Sequence, residues 1–268
     1  MIKNLREYEV MANVEEGHWW YRSLHYLVLR SLKEHFHAKN IEILDAGCGT
    51  GGLLRKLKSA GYSEACGFDL SEYAVKICVG RDLNVKRASL TQLGKMGRPG
   101  QYNAVACLDA LCYLTPEERV RFFLDAYNLL VPGGLLITNQ AALSIFRGTH
   151  DRVIGISHRF NQKEFKFLAK NAGFEVPTMF YWPLLFAPII LIVRTIQRMS
   201  WKPNNLGPEV SDLRIYPNWL NVFLYSIFRL EESIFWSRFM GSSLYAVLKK
   251  PTHEHSNEIS TDDSIKGV

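Results

Sequence analysis

No CxxC pair occurs in this 268-residue chain, and its five cysteines (Cys48, Cys66, Cys78, Cys107, Cys112) lack the spacing of a zinc site. Several lie in apolar runs, where a cysteine acts as a small buried hydrophobe. The odd count, with no apolar signal core in the start MIKNLREYEV, argues against a disulfide framework and is expected of a reducing, cytoplasmic compartment. A membrane-spanning run is missing too. FYWPLLFAPIILIV (180–193) carries no charge, but its fourteen residues fall short of the roughly 20 that cross a bilayer, and it holds Pro183 and Pro188. It is expected to be buried or interfacial. No internal repeat is visible.

What is present describes a globular body. Hydrophobic residues make up 47% of the chain and charged residues 22%, the balance of a protein with a sizeable core. The net charge is +6, and the end after Lys250, PTHEHSNEISTDDSIKGV, carries four acids against one lysine, so the rest is more basic still. That polar end (251–268) is expected to be disordered. A basic body suits an anionic membrane surface, nucleic acid or an anionic substrate, and charge alone does not choose.

Trp20, Leu24, Leu27, Val28 and Leu32 fit helical spacing. IEIL reads as a strand ending at Asp45, followed by a glycine-rich turn and a helix that Gly61 closes. ACGFDL, NVKRA and YNAVACL read as further strands. Ser71 caps one intervening helix, and TPEE from Thr115 opens another with a capping box. VPGG leads into the strand LLITN, and Asn161 and Glu164 open a helix that Gly173 ends. Strands alternating with helices in this way predict an α/β fold with a parallel sheet and helices on both faces.

The turn DAGCGTGG (45–52) also satisfies GxGxxG through glycines 47, 49 and 52, the pattern of a nicotinamide site. Asp45 argues against that ligand, because a carboxylate before the first glycine repels a pyrophosphate. It favours S-adenosylmethionine, whose ammonium and sulfonium are positive. Asp69, ending the next strand, is placed to accept hydrogen bonds from ribose hydroxyls. In the plainer reading, Asp45 only caps the turn.

ILDAGCGTGG, GFDLS, YNAVACLDAL and LLVPGGLLIT resemble the successive motifs of class I S-adenosylmethionine-dependent methyltransferases. EEGHWWYRS before the first strand and HDRVIGISHRF after the fifth are similar to a bacterial subgroup with an HWW start and an HD…HxR[YF] loop. The resemblance, over about residues 9 to 250, implies a Rossmann-like, mostly parallel sheet of about seven strands with a helical apolar insertion before the last. It implies an N-terminal helical lid (1–40), a donor-binding core (41–182), the insertion (183–240) and a final core strand (241–250). Asp45, Gly47 and Gly49 would line the methionine half of the donor, Asp69 its ribose, and Ser89 and Leu90 its adenine. Leu108 and Asp109 would open toward donor and substrate, and Trp20, Cys48 and Leu70 would complete the donor site. Three departures stand out. Ser89 replaces an aspartate, Tyr113 replaces a histidine, and Leu24 and His25 replace arginines, leaving Arg22 as the partner for the donor's carboxylate. They leave a weakened, membrane-associated binding protein of the same fold as an alternative.

THDRVIGISHRF (149–160) would leave the ligand side of the sheet. His150 and His158 are candidate general bases there, with Asp151 or a neighbour holding one imidazole. In the plainer reading, His158 and Arg159 brace the loop. Two histidines eight apart lack a third ligand, so no metal is expected. In the insertion, Arg194, Arg198 and Lys202 are expected to form a basic stripe opposite the apolar side, with Pro203 ending the helix. Segment 183–238 reads either as a pair of buried cap helices or as an interfacial hairpin in peripheral contact with the membrane. The expected partner is a hydrophobic small-molecule or lipid-like acceptor, methylated on a hydroxyl. Nucleic acid is not expected, since LDALCYL replaces the Asn/Asp-Pro-Pro-aromatic motif of nucleobase amine methylation.

Overall fold

The computed structural model describes residues 5–199, 215–235 and 238–252. Lys202, Pro203 and nearly all of the acidic end lie outside them. Seven strands form one sheet: β1 (Ile43–Ala46), β2 (Ala65–Asp69), β3 (Val85–Arg87), β4 (Tyr102–Leu108), β5 (Leu130–Ala141), β6 (Glu175–Trp182) and β7 (Ser243–Lys249), in the order β3-β2-β1-β4-β5-β7-β6. The first five run parallel, and β7 is antiparallel to both β5 and β6. This is the mostly parallel, seven-stranded α/β sheet expected from the motif order.

Local chemistry sets the element ends. The Ser71 hydroxyl accepts from the Ala74 N–H to open α4 (Glu72–Gly80). Thr115 and Glu118 form a reciprocal capping box with Pro116 in the first turn of α5 (Pro116–Leu129). Asn161 caps α7 (Gln162–Asn171) in the same way as Ser71 caps its helix. Each face of the sheet is covered. On one, Phe122, Phe123, Leu129 and Phe165 pack beneath α5 and α7. On the other, Leu24, Leu27, Leu53 and Leu57 seal α2 (Trp19–His35) and α3 (Gly52–Ser59). Each such side chain contributes about 1.5–3 kcal/mol.

Four further helices finish the end of the sheet where the glycine turn lies. α1 (Leu5–Val14) lies across the glycine turn, and the sequence THDRVI of the 149–160 loop folds into the short helix α6 (Thr149–Ile154). The insertion supplies α8 (Ala187–Met199) and α9 (Asn218–Ile234). The expected basic stripe is corrected here. Arg194 points inward and is buried, Arg198 is exposed, and the exposed side of α8 is aliphatic. Among the described residues no helix is long and apolar enough to cross a membrane.

Candidate active site

Strand order reverses between β1 and β4, and the C-terminal ends of β1, β2 and β4 open there into a cavity of about 780 Å³. Ligands bind at such a switch point in open parallel sheets. The strand ends contribute Asp45, Asp69 and Asp109. α1 and α2 roof the cavity with Tyr8, Met11, Trp19 and Trp20, and α8 adds Ile189, Ile190 and Val193.

The glycine turn needs its glycines. Gly47 has φ +78° and Gly49 φ +54°, and a Cβ at Gly47 would stand 3.0 Å from that of Ala110. The N–H groups of Gly47 and Cys48 both donate to the Phe68 carbonyl, at 2.9 and 3.0 Å, tying the turn to β2. Asp69 stiffens it further. Its Oδ2 accepts from the Gly49 N–H at 3.0 Å and its Oδ1 from the Ser71 N–H at 2.8 Å. Each oxygen keeps a lone pair for a ligand hydroxyl.

The floor is rich in acid. Burial pushes the Asp45 carboxyl up to about 8, and the neighbouring Asp69 and Glu15 add to the rise. Burial also raises Asp69 and Glu15, although Glu15 accepts from Thr50 Oγ1 at 2.7 Å and pairs with Arg81. A carboxylate held this way gains most from a cationic ligand.

Asp109 ends a buried chain of hydrogen bonds. Trp182 Nε1 donates to Asn139 Oδ1 at 2.7 Å, and Asn139 Nδ2 donates to Asp109 Oδ1 at 2.8 Å. The Asp109 backbone N–H donates to the Asn139 carbonyl at 2.7 Å and its φ is +54°, so strand-end geometry fixes the side chain. Oδ2 has no hydrogen-bond partner among the described residues. Burial pushes this carboxyl up to about 7, opposed by the Asn139 bond and by Arg159.

Two histidines share the wall, His18 and His25, both pushed down to about 4, chiefly by burial. His18 Nδ1 accepts from the Trp20 N–H at 3.2 Å, so its proton sits on Nε2, which is buried without a partner among the described residues. At neutral pH this nitrogen can donate a hydrogen bond and cannot accept a proton. Neither histidine was assigned a role from sequence, although His18 opens the HWW motif and His25 fills an arginine position. Tyr21 and Tyr113 also line the cavity, their hydroxyls pushed up by burial.

Of the residues expected to hold the donor, Trp20, Asp45, Gly47, Cys48, Gly49, Asp69, Leu70, Ser89, Leu90, Leu108 and Asp109 all line this cavity. Arg22 does not. Its guanidinium lies 4.4 Å over the Tyr225 ring of α9, a cation–π contact that turns it away from the site.

The 149–160 loop is corrected more deeply. Asp151 is buried in a fork with Arg159, Nε to Oδ2 and Nη2 to Oδ1 both at 2.7 Å, so it holds an arginine and not an imidazole. Arg159 Nη1 also donates to the carbonyls of Ala142 and Ser242, at 2.8 and 3.2 Å. His158 pairs with Glu164, Nε2 to Oε1 at 2.8 Å, sets its ring edge on Phe160 and is not on the cavity wall. His150 lies in α6, and its side chain is outside the described residues. Among the described side chains of the loop, Ile154, Ile156 and Arg159 line the wall. Among the described residues no three His, Cys, Asp or Glu side chains are grouped to hold a metal ion.

Residues 43–134 match the family described as "Methyltransferase domain". No curated protein matches the chain. Solved structures share its fold. A SAM-dependent methyltransferase from Archaeoglobus fulgidus is 18% identical, with 84% of this chain and 94% of that one covered and a TM-score of 0.52. An S-adenosylmethionine-dependent methyltransferase from Mesorhizobium loti is 16% identical over 88% and 99%, with a TM-score of 0.58. Phosphoethanolamine N-methyltransferase 2 from Haemonchus contortus, solved with S-adenosyl-L-methionine, is 16% identical over 83% and 52%, with a TM-score of 0.54. The chain therefore carries a methyltransferase-domain match at its glycine turn, within a fold it shares with S-adenosylmethionine-dependent methyltransferases.

Proposed function

We propose that this protein is an S-adenosylmethionine-dependent methyltransferase acting on an oxygen of a hydrophobic acceptor, small or lipid-linked. The observation that carries the reading is one cavity with two kinds of wall. The glycine turn and its buried acids form one, and Ile154, Ile156, Ile189, Ile190 and Val193 form the other. S-adenosylmethionine supplies an electrophilic methyl group. The acids fit its positive charges, Asp69 its ribose, and Ser89 and Leu90 its adenine. His18, with a buried Nε2–H that lacks a partner among the described residues, offers a hydrogen bond to the donor's carboxylate or to an acceptor oxygen.

The chain's own work is orientation, exclusion of water and acceptance of one proton. Trp19 and Trp20 close the cavity, Trp20 stacked on Trp182 at 4.3 Å between ring centroids. Asp109 takes the hydroxyl proton, since its raised carboxyl is a usable base near neutral pH and Asn139 holds it in place. It replaces His158 in that role.

Titration calorimetry with S-adenosylmethionine and with NADH tests the donor, and binding of NADH alone would overturn the reading. Radiolabelled methyl transfer into membrane and soluble extract fractions, followed by product identification, tests the acceptor. A labelled amine would correct the oxygen. Donor binding with no transfer into any fraction would favour the binding-protein alternative.

A further inference from the structure

We propose that the outward faces of α8 and α9 form a docking surface for an anionic lipid bilayer, and that the cavity receives its acceptor through that surface. Both helices bury polar side chains and leave large apolar ones exposed. α8 buries Arg194, at 8% exposure, and shows solvent Ile192 at 60% and Met199 at 80%. α9 buries Asn221 and Glu231, the latter at 0%, and exposes Trp219, Phe223 at 57% and Leu230.

Buried polar groups attach these helices to the body together with Phe228 of α9, which is fully buried with its ring centroid 5.5 Å from that of Trp182. Glu231 accepts from the N–H groups of Leu184 and Leu185 at 2.8 and 2.9 Å, and Asn221 Oδ1 accepts from the Trp19 N–H at 3.0 Å. The apolar faces are left unpacked, and exposed apolar surface of this extent marks an interaction site.

Charge selects the partner. On α8 and α9 the exposed charges are Arg198 and Arg229, both cationic, and both acids are withdrawn. Glu231 is buried and the Glu232 side chain is only 3% exposed, held by Arg30 and Arg238. An apolar face bordered by arginines suits the headgroup boundary of an anionic membrane. The face is continuous with the site, because Ile189 and Val193 are both exposed on it and part of the cavity wall. The docking surface stands without the methyl-transfer reading, whereas the acceptor route rests on it.

Flotation of the full chain with phosphatidylcholine vesicles, with and without phosphatidylglycerol, tests the surface at low salt. The wild type should float with the anionic vesicles. Ile192→Glu and Phe223→Glu should each weaken retention about tenfold or more, because a charge replaces a membrane-buried side chain. Arg198→Gln should weaken it about fivefold on anionic vesicles and leave zwitterionic vesicles unaffected. Melting followed by circular dichroism confirms that the variants fold, and none of the three residues lines the cavity. Absence of wild-type retention would overturn the proposal, as would equal retention of variants that melt like the wild type. A vesicle-free, concentration-dependent dimer that the same variants dissolve, without wild-type flotation, would assign the face to a second copy and also overturn it. Vesicle retention is read without methyl transfer, so loss of one result leaves the other standing.

Discussion

Two pairs of acids sit near the end of this sheet under opposite conditions. Asp45 and Asp109 lie on the cavity wall without an ion-pair partner among the described residues, and burial pushes them up to about 8 and about 7. Asp151 and Glu164, from the neighbouring loop and helix, are satisfied by Arg159 and His158. A carboxylate already forked by an arginine has little left for a ligand. One buried without a cation destabilises the ligand-free protein and gains when a ligand brings the missing charge. Charge satisfaction therefore separates the acids that serve the cavity from those that brace it.

The largest test of this contrast is Asp109→Asn. Turnover should fall by about 10²–10⁴, the range of a lost general base, while calorimetry shows donor affinity changed only slightly. Wild-type turnover should rise as pH climbs through about 7, where Asp109 ionises, and the variant should lose that limb. Unchanged turnover would remove Asp109 from the chemistry.

Next in size is the bracing pair. Asp151→Asn leaves Arg159 charged and nearly buried, which should cost about 3–5 kcal/mol in denaturant unfolding. A melt equal to wild type with turnover abolished would return Asp151 to the chemistry and break the contrast.

Asp45→Asn should weaken donor binding by about 1.5–3 kcal/mol, the contribution of a hydrogen bond to a charged group, read by calorimetry. The ligand-free variant should be the more stable form at pH 8. The folded carboxyl keeps its proton up to about 8, whereas the unfolded one loses it near 4. Between those values the unfolded state binds fewer protons, so wild-type stability falls as pH rises, and the variant should lack that part of the slope. Identical slopes would remove the penalty assigned to Asp45.

The smallest effect belongs to His158→Ala. Its partly exposed pair with Glu164 contributes about 0–1 kcal/mol, so turnover should stay within a few-fold of wild type. His150→Ala in parallel tests the other loop histidine, and a large loss there would move the base from Asp109 to the loop.

Much of the site could be read from residue order alone. DAGCGTGG, GFDLS and YNAVACLDAL each end a strand, and parallel strands present those ends on one side, so Asp45, Asp69 and Asp109 were bound to converge. The role of Asp109 was less legible. The base role proposed for it depends on Asn139 and Trp182, which come from β5 and β6, and no local spacing predicts that they meet. His18 caps the helix that carries Arg22 and His25, yet Arg22 turns onto Tyr225 of α9 while both histidines line the cavity. Helical spacing groups these three positions on one stripe and does not name what each side chain meets.

The insertion makes the same point on a larger scale. α3 buries Leu53, Leu54 and Leu57 and exposes Lys56 and Lys58, as its pattern requires, while α8 and α9 turn their apolar faces outward. The sequence by itself determined the succession of strands and helices along the chain, the caps, the glycine turn and the acids at the strand ends, because these depend on local backbone preferences and short-range periodicity. Only the tertiary structure decided which acids are paired, which histidines reach the cavity and which way the insertion faces. Those outcomes depend on partners distant in the chain, such as Arg159 reaching Ser242 and Trp19 reaching Asn221, and on the cost of burying a charge without one.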